Sequence, residues 1–261
     1  MDPTALLQLA DLNLLEFNRE NARATRGGLV HEEGGLVFFM PGHRFPVGFT
    51  GVMRTERAVP ADAVIARARE FFAPRGHGYT FCLMQHRDDD LIAALEAAGL
   101  SRFGNSPGMA VDHRLPEAPP PPGVTFDRVG DPAGARDFGL VSGSAYATYG
   151  MPPQVAHAQF EDDRMLSQSH VAAFVARLED APVAAAMTLV THGVSGVYWV
   201  GTTPEARGRG LAEACTRLAT NAGFDMGARV AVLQASVMGE PIYRRMGYRE
   251  ITRYPWYVVM P

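Results

Sequence analysis

The run Thr202-Thr203-Pro204-Glu205-Ala206-Arg207-Gly208-Arg209-Gly210-Leu211-Ala212 decides how this chain is read. Just before it, Val197 to Thr202 is rich in β-branched and aromatic residues and reads as a strand. From Gly210 to Phe224 the period becomes helical, with Leu211, Cys215, Leu218 and Ala222 on one face. The run is therefore a strand-to-helix turn hinged on glycine. The first N–H groups of a helix lack partners within it and point outward, and the helix dipole adds partial positive charge there. Together they make a site for an anion such as a pyrophosphate. Gly208 and Gly210 let a ligand approach the backbone, and Arg207 and Arg209 can add charge-assisted hydrogen bonds. A dinucleotide fingerprint beginning at Gly208 would need a third glycine where this chain has Glu213.

Composition narrows the chemistry. All 24 basic side chains among the 261 residues are Arg, with no Lys. Lysine Schiff bases are excluded, as are the phosphate grips of P-loops and protein kinases. A net charge of −4 argues against a nucleic-acid partner. Cys82 and Cys215 are too few for a disulfide framework or a cysteine-rich zinc site. No metal is expected, and a reducing cytoplasm is. Met1-Asp2-Pro3-Thr4 lacks the basic start of a signal peptide. Ala181 to Pro204 carries no charged residue, but His192-Gly193 and Ser195-Gly196 interrupt it. It reads as two strands and a turn, not a membrane span.

The surrounding sequence reads as mixed α/β. Strands are expected at Val124 to Arg128, Val171 to Leu178, Pro182 to Thr191, Arg229 to Ala235 and Glu250 to Val259. Helices are expected at Pro132 to Ala147, Pro153 to Met165 and Pro241 to Met246. Four consecutive prolines, Pro119 to Pro122, suit neither a helix nor a central strand. Residues 117–122 therefore read as a stiff linker between a domain at 1–116 and a domain at 123–261. The first part alternates helices (Thr4 to Ala22, Ala61 to Phe72, Asp89 to Ala98) with strands (Leu36 to Met40, Val47 to Met53, Tyr79 to Met84). Tyr79 to Leu100 and Gly227 to Tyr248 each read as a strand, a loop and a helix ending in glycine at a constant offset, which points to a duplicated unit.

Arg207-x-x-Gly210-x-Ala212 resembles the Gln/Arg-x-x-Gly-x-Gly/Ala motif of the GNAT superfamily of acyl-CoA-dependent N-acetyltransferases. Ile242-Tyr243-Arg244-Arg245-Met246-Gly247-Tyr248 resembles that family's second signature, a Leu-Tyr-x-x-x-Gly-Phe-like segment. The two stand in the family's order, and the resemblance covers residues 124 to 259. It implies an α/β (α+β) fold with a mixed, mostly antiparallel sheet flanked by helices, in two tandem GNAT-like domains. The first would be degenerate: Leu95 stands against Tyr243, and Val59 to Val64, against the phosphate loop, has neither Gly nor Arg. Acetyl-CoA is the implied co-substrate. Its pyrophosphate would lie on Arg207, Gly208, Arg209, Gly210, Leu211, Ala212 and Glu213. Its pantetheine arm would lie along Val200, Gly201 and Thr202, and near Ser236, where the family often has Asn. The thioester would sit in a splayed opening between that strand and Arg229 to Ser236.

Tyr243 matches the tyrosine that protonates the departing thiolate in many relatives. A free phenol has a pKa of about 10 and keeps its proton at neutral pH. Some relatives place a glutamate base where this chain has Ala231. His157, Glu161, Asp162, His192 and Glu250 are other candidate bases, and spacing singles out none. The implied reaction is direct transfer of acetyl from acetyl-CoA to a primary amine in a ternary complex. The acceptor would be a small molecule or a peptide, with no nucleic-acid or membrane partner and a homodimer admitted. A non-catalytic CoA-binding module and another acyl transfer, such as mycothiol synthesis, stand as alternatives.

Overall fold

A computed structural model describes residues 1–261. The first part of the chain forms α1 (Pro3–Arg23), β1 (Leu29–Glu33), β2 (Leu36–Met40), β3 (Gly51–Arg54), α2 (Ala61–Phe72), β4 (Tyr79–Cys82), α3 (Asp89–Ala97) and β5 (Arg102–Val111). Next come β6 (Val124–Arg128), α4 (Pro132–Tyr146), α5 (Pro153–Gln159), β7 (Val171–Leu178), β8 (Ala181–Thr191) and β9 (Val194–Thr202). The last elements are α6 (Leu211–Asp225), β10 (Val230–Gln234), α7 (Glu240–Arg245) and β11 (Arg249–Val259). From β2 to β5 the order of strands and helices repeats from β8 to β11, and the pairs β3–β4 and β9–β10 are both parallel.

The chain forms two compact units, and they do not follow the proline run. Residues 1–17 group with 109–249, and residues 250–261 group with 18–108. Pro119 to Pro122 lie inside the first of these units, between β5 and β6. Polyproline stiffens a few residues of chain; it has no bearing on which strands pair.

In the unit of residues 1–17 and 109–249, β6, β7, β8 and β9 pair antiparallel in that order, and β10 adds parallel to β9. Two tight turns set the registers. Glu179 and Asp180 (φ 50° and 66°) join β7 to β8, and His192 and Gly193 (φ 54° and 72°) join β8 to β9. Two successive positive φ values make the type I′ turn, whose twist matches that of the flanking strands. The core packs Ala176, Ala184, Ala186 and Val197 against Leu211, Cys215 and Ala219 of α6. The start of α1 pins the β8–β9 hairpin. Asn13, fully buried, donates from Nδ2 to Leu189 O, Thr191 Oγ1 and Val194 O at 3.0–3.1 Å. Its Oδ1 accepts from the Tyr198 hydroxyl at 2.7 Å. Gly196 makes room for this network, since a Cβ there would lie 1.9 Å from Asn13 Oδ1.

In the other unit, β1, β2 and β3 pair antiparallel, β4 joins β3 in parallel, and β11 pairs antiparallel with β4. Its core gathers Phe38, Phe72, Phe81, Leu91, Leu95 and Tyr257.

Two strands escape the sequence reading. β1 is exposed at four of five positions, so it shows no buried face. β5 contains Gly104, Pro107 and Gly108, residues that usually interrupt strands. The expected helix from Pro153 to Met165 ends at Gln159. Beyond it the Asp162 carboxylate accepts from Arg164 N at 3.0 Å, a local turn that competes with helix.

Candidate active site

A bulge shapes β9. Ala185 opposes Gly201 and Met187 opposes Tyr198, so Trp199 and Val200 together face Ala186 alone. Trp199 takes φ 52°, a left-handed value that a large side chain rarely adopts. Its buried ring packs edge-on to Tyr146 and Phe160, with centroids 5.3 and 5.1 Å away. A bulge re-aims a strand and weakens its pairing. The parallel ladder to β10 runs only from Val194–Val230 to Gly196–Val232, although β9 continues to Thr202. The two strands therefore part, and the β10-facing edge of β9 is left open past Gly196. Such an edge can hydrogen-bond an extended ligand as an added strand would.

The turn after β9 delivers the chain to α6. Gly208 and Gly210 take φ 77° and 75°, and nothing lies within 4 Å of where a Cβ would be on either. Gly210 is the N-cap of α6, and no side chain caps the helix start. The first-turn N–H groups are thus free of side-chain acceptors, as an anion site requires.

These elements enclose a cleft of about 360 Å³. Val200, Gly201, Thr202, Arg207, Gly208, Gly210, Leu211, Ala212, Glu213, Ser236 and Tyr243 all line it. Arg209 is exposed and lies outside the lining. The Arg207 guanidinium is engaged within the protein, donating to Thr148 Oγ1 at 2.7 Å, Ala145 O at 3.3 Å and Thr202 O at 3.4 Å. The loop's two arginines therefore differ: one ties the turn to the end of α4, and the other points to solvent. The cation that sequence reasoning overlooked is Arg245 on α7, which also lines the cleft.

Tyr243 is buried at the cleft wall. Burial pushes its phenol well above the usual tyrosine value. The Thr216 hydroxyl opposes the shift, although its Oγ1 lies outside hydrogen-bond geometry with any group, and Tyr149 adds to it. Tyr146 and Tyr149 also line the cleft. Neither was expected; the only hint was their spacing at the end of α4, just before Gly150. Burial likewise raises Tyr146, whereas Tyr149 is 47% exposed. None of the five candidate bases lines the cleft. Asp162 pairs with Arg164, Glu250 with Arg253, and His192 lies 3.9 Å from Glu16.

Residues 149–251 match the acetyltransferase (GNAT) domain family. The chain carries a GNAT acetyltransferase domain. Three solved structures share its fold along most of the chain. A GCN5-related N-acetyltransferase from Kribbella flavida is 24% identical with TM-score 0.71, covering 95% of this chain and 94% of its own. One from Sphaerobacter thermophilus is 16% identical with TM-score 0.65, covering 87% and 77%. A tandem GNAT protein from the clavulanic acid biosynthesis pathway is 14% identical with TM-score 0.59, covering 96% and 95%. At these identities the likeness is one of fold. No curated protein matches the chain. No helix is long and apolar enough to cross a membrane. GNAT domains transfer acyl groups and use acetyl-CoA as co-substrate. The uncapped α6 start and the open edge of β9 suit the phosphates and the amide-bearing arm of that co-substrate.

Proposed function

We propose that this protein is an N-acetyltransferase that moves acetyl from acetyl-CoA to a primary amine by direct attack in a ternary complex. The observation that carries the reading is the convergence of three features in one cleft: the open edge of β9, the uncapped start of α6 and the buried Tyr243. Bound acetyl-CoA supplies an acyl group activated as a thioester. The N–H groups from Gly208 to Glu213 hold its diphosphate, with Arg245 adding charge. The backbone of Val200 to Thr202 lines up its arm, and Ser236 offers a hydroxyl from the opposite wall. Tyr243 donates to the sulfur as negative charge develops there. A phenol raised by burial is a poor full proton donor, but it stays protonated and aimed, and stabilising developing charge needs only the hydrogen bond. The amine's proton leaves to water. The cytoplasm suits two buried free thiols, Cys82 and Cys215.

We propose further that the repeat of residues 18–108 takes no cofactor. With Leu100 set against Tyr248, the counterparts of Thr202 and Ser236 are Arg54 and Asp88. Thr202 and Ser236 line the open cleft; here their counterparts face each other. Arg54 Nη2 and Nε donate to Asp88 Oδ1 at 2.9 and 3.1 Å, and neither side chain is exposed. Asp90 and Val59 O take the remaining Arg54 donors. An ion pair bars the gap between β3 and β4.

Steady-state acetyl transfer against a panel of amines tests the activity. Turnover is expected for the wild type, with turnover reduced and CoA affinity nearly unchanged for Tyr243→Phe. Binding without turnover on any amine would leave a non-catalytic CoA module.

A further inference from the structure

The end of α4 is tied to both flanks of the cleft. On one side, Arg207 of the phosphate turn holds Ala145 O and Thr148 Oγ1. On the other, the Tyr149 hydroxyl donates to Ser236 Oγ at 3.0 Å. Ser236 sits just past β10, and its Oγ also accepts from Gly239 N at 3.1 Å, next to the N-terminus of α7. Tyr149 and Ser236 both line the cleft. Their hydrogen bond therefore joins two elements that are otherwise separated by the cleft itself.

The segment that carries Tyr149 is short. Residues Ala147–Tyr149 form a single 3-10 turn, closed by Gly150 at φ 81°, with nothing within 4 Å of where a Cβ would be. Tyr149 is 47% exposed, and its hydroxyl reaches Ser236 across the cleft. Its ring lies 6.1 Å from that of Tyr146, tilted rather than stacked.

We infer that Tyr149 is a positioning residue for the co-substrate arm, and that its bond to Ser236 is a clasp which opens to admit the arm and closes again once it is seated. The inference rests on the reading of this cleft as the acetyl-CoA site. If the clasp is closed both with and without ligand, it adds to the barriers for entry and exit alike and leaves affinity nearly unchanged. A hydrogen bond between neutral groups contributes about 1 kcal/mol net, which corresponds to roughly a fivefold change in a rate. A merely structural tyrosine would not move both rates together.

The test is stopped-flow binding of CoA to the intact chain, comparing wild type with Tyr149→Phe, Ser236→Ala and the double variant. Tyr149→Phe is expected to speed association and dissociation about fivefold each, with Kd within about twofold of wild type. The dissociation rate of the double variant should equal that of Ser236→Ala, because the two groups share one bond. Unchanged rates in Tyr149→Phe, with wild-type binding intact, overturn the clasp and leave the cleft assignment standing. Faster dissociation alone, with weakened Kd, makes Tyr149 a direct contact and also overturns the clasp. Absence of CoA binding by the wild type removes both the clasp and the cleft assignment.

Discussion

A Cβ on Gly239 would lie 2.7 Å from the Tyr243 ring and 3.2 Å from its hydroxyl. Gly239 has ordinary helical dihedrals (φ −81°, ψ −33°), so alanine suits the backbone there and the conflict is purely steric. Gly239→Ala should displace the phenol from the cleft wall. Turnover is expected to fall at least as far as in Tyr243→Phe, with a stability loss of about 1–3 kcal/mol from overpacking. Steady-state kinetics and urea unfolding of the two variants side by side check this.

Gly210 presents the opposite case. Its surroundings are empty, but its φ of 75° is left-handed. Gly210→Ala should cost about 1–2 kcal/mol in backbone strain. Relaxation of that strain would turn the first N–H groups of α6 away from the cleft. CoA affinity is expected to drop several-fold while turnover at saturation holds, as a titration and a substrate series will show.

Arg54→Ala should take from the buried Asp88 its closest cation, leaving it the Met84 N–H at 2.9 Å and Arg87 at 3.7 Å. The expected loss is about 3–5 kcal/mol, typical of breaking a buried ion pair from one side. Asp90, which the Arg54 side chain holds down to about 2, should titrate nearer the ordinary aspartate range. Replacing the pair together, as Arg54→Met with Asp88→Leu, should recover much of the stability. Equal instability in the single and paired variants would contradict the ion-pair account.

The alkaline limb of stability is set by tyrosines. Burial pushes the phenols of Tyr146, Tyr198, Tyr243 and Tyr248 upward. The folded chain keeps protons that the unfolded chain loses above a pH of about 10. The stability these tyrosines contribute is therefore complete below that pH and is lost as pH rises beyond it. No lysine adds to this limb, whereas the buried thiols of Cys82 and Cys215, pushed up to about 12, and the raised phenols of Tyr79 and Tyr257 do. Urea midpoints at pH values of about 8 and 11 should differ clearly, and the difference should shrink in Tyr198→Phe.

Much of the site is legible in the sequence because it depends on local rules. Gly208 and Gly210 mark a strand-to-helix turn, the period changes at Leu211, and Tyr243 stands before a second glycine signal at Gly247. What the sequence hides depends on partners distant in the chain. Trp199 is a poor candidate for a positive φ, so the bulge that parts β9 from β10 leaves no local sign. The ties from Arg207 Nη2 to Ala145 and Thr148 join segments that no spacing in the sequence connects. Arg54 and Asp88 are ordinary surface types until folding buries them together. The proline run looks like a boundary, yet the assignment of α1 and β11 to units is set by strand pairing and by Asn13, far away in sequence.

Calorimetric titration of the intact chain with acetyl-CoA tests the central claim most directly. The account requires one site per chain, with binding weakened by Gly210→Ala and untouched by Tyr243→Phe. Two sites per chain would contradict the barred gap at Arg54, and no binding at all would contradict the assignment of the cleft.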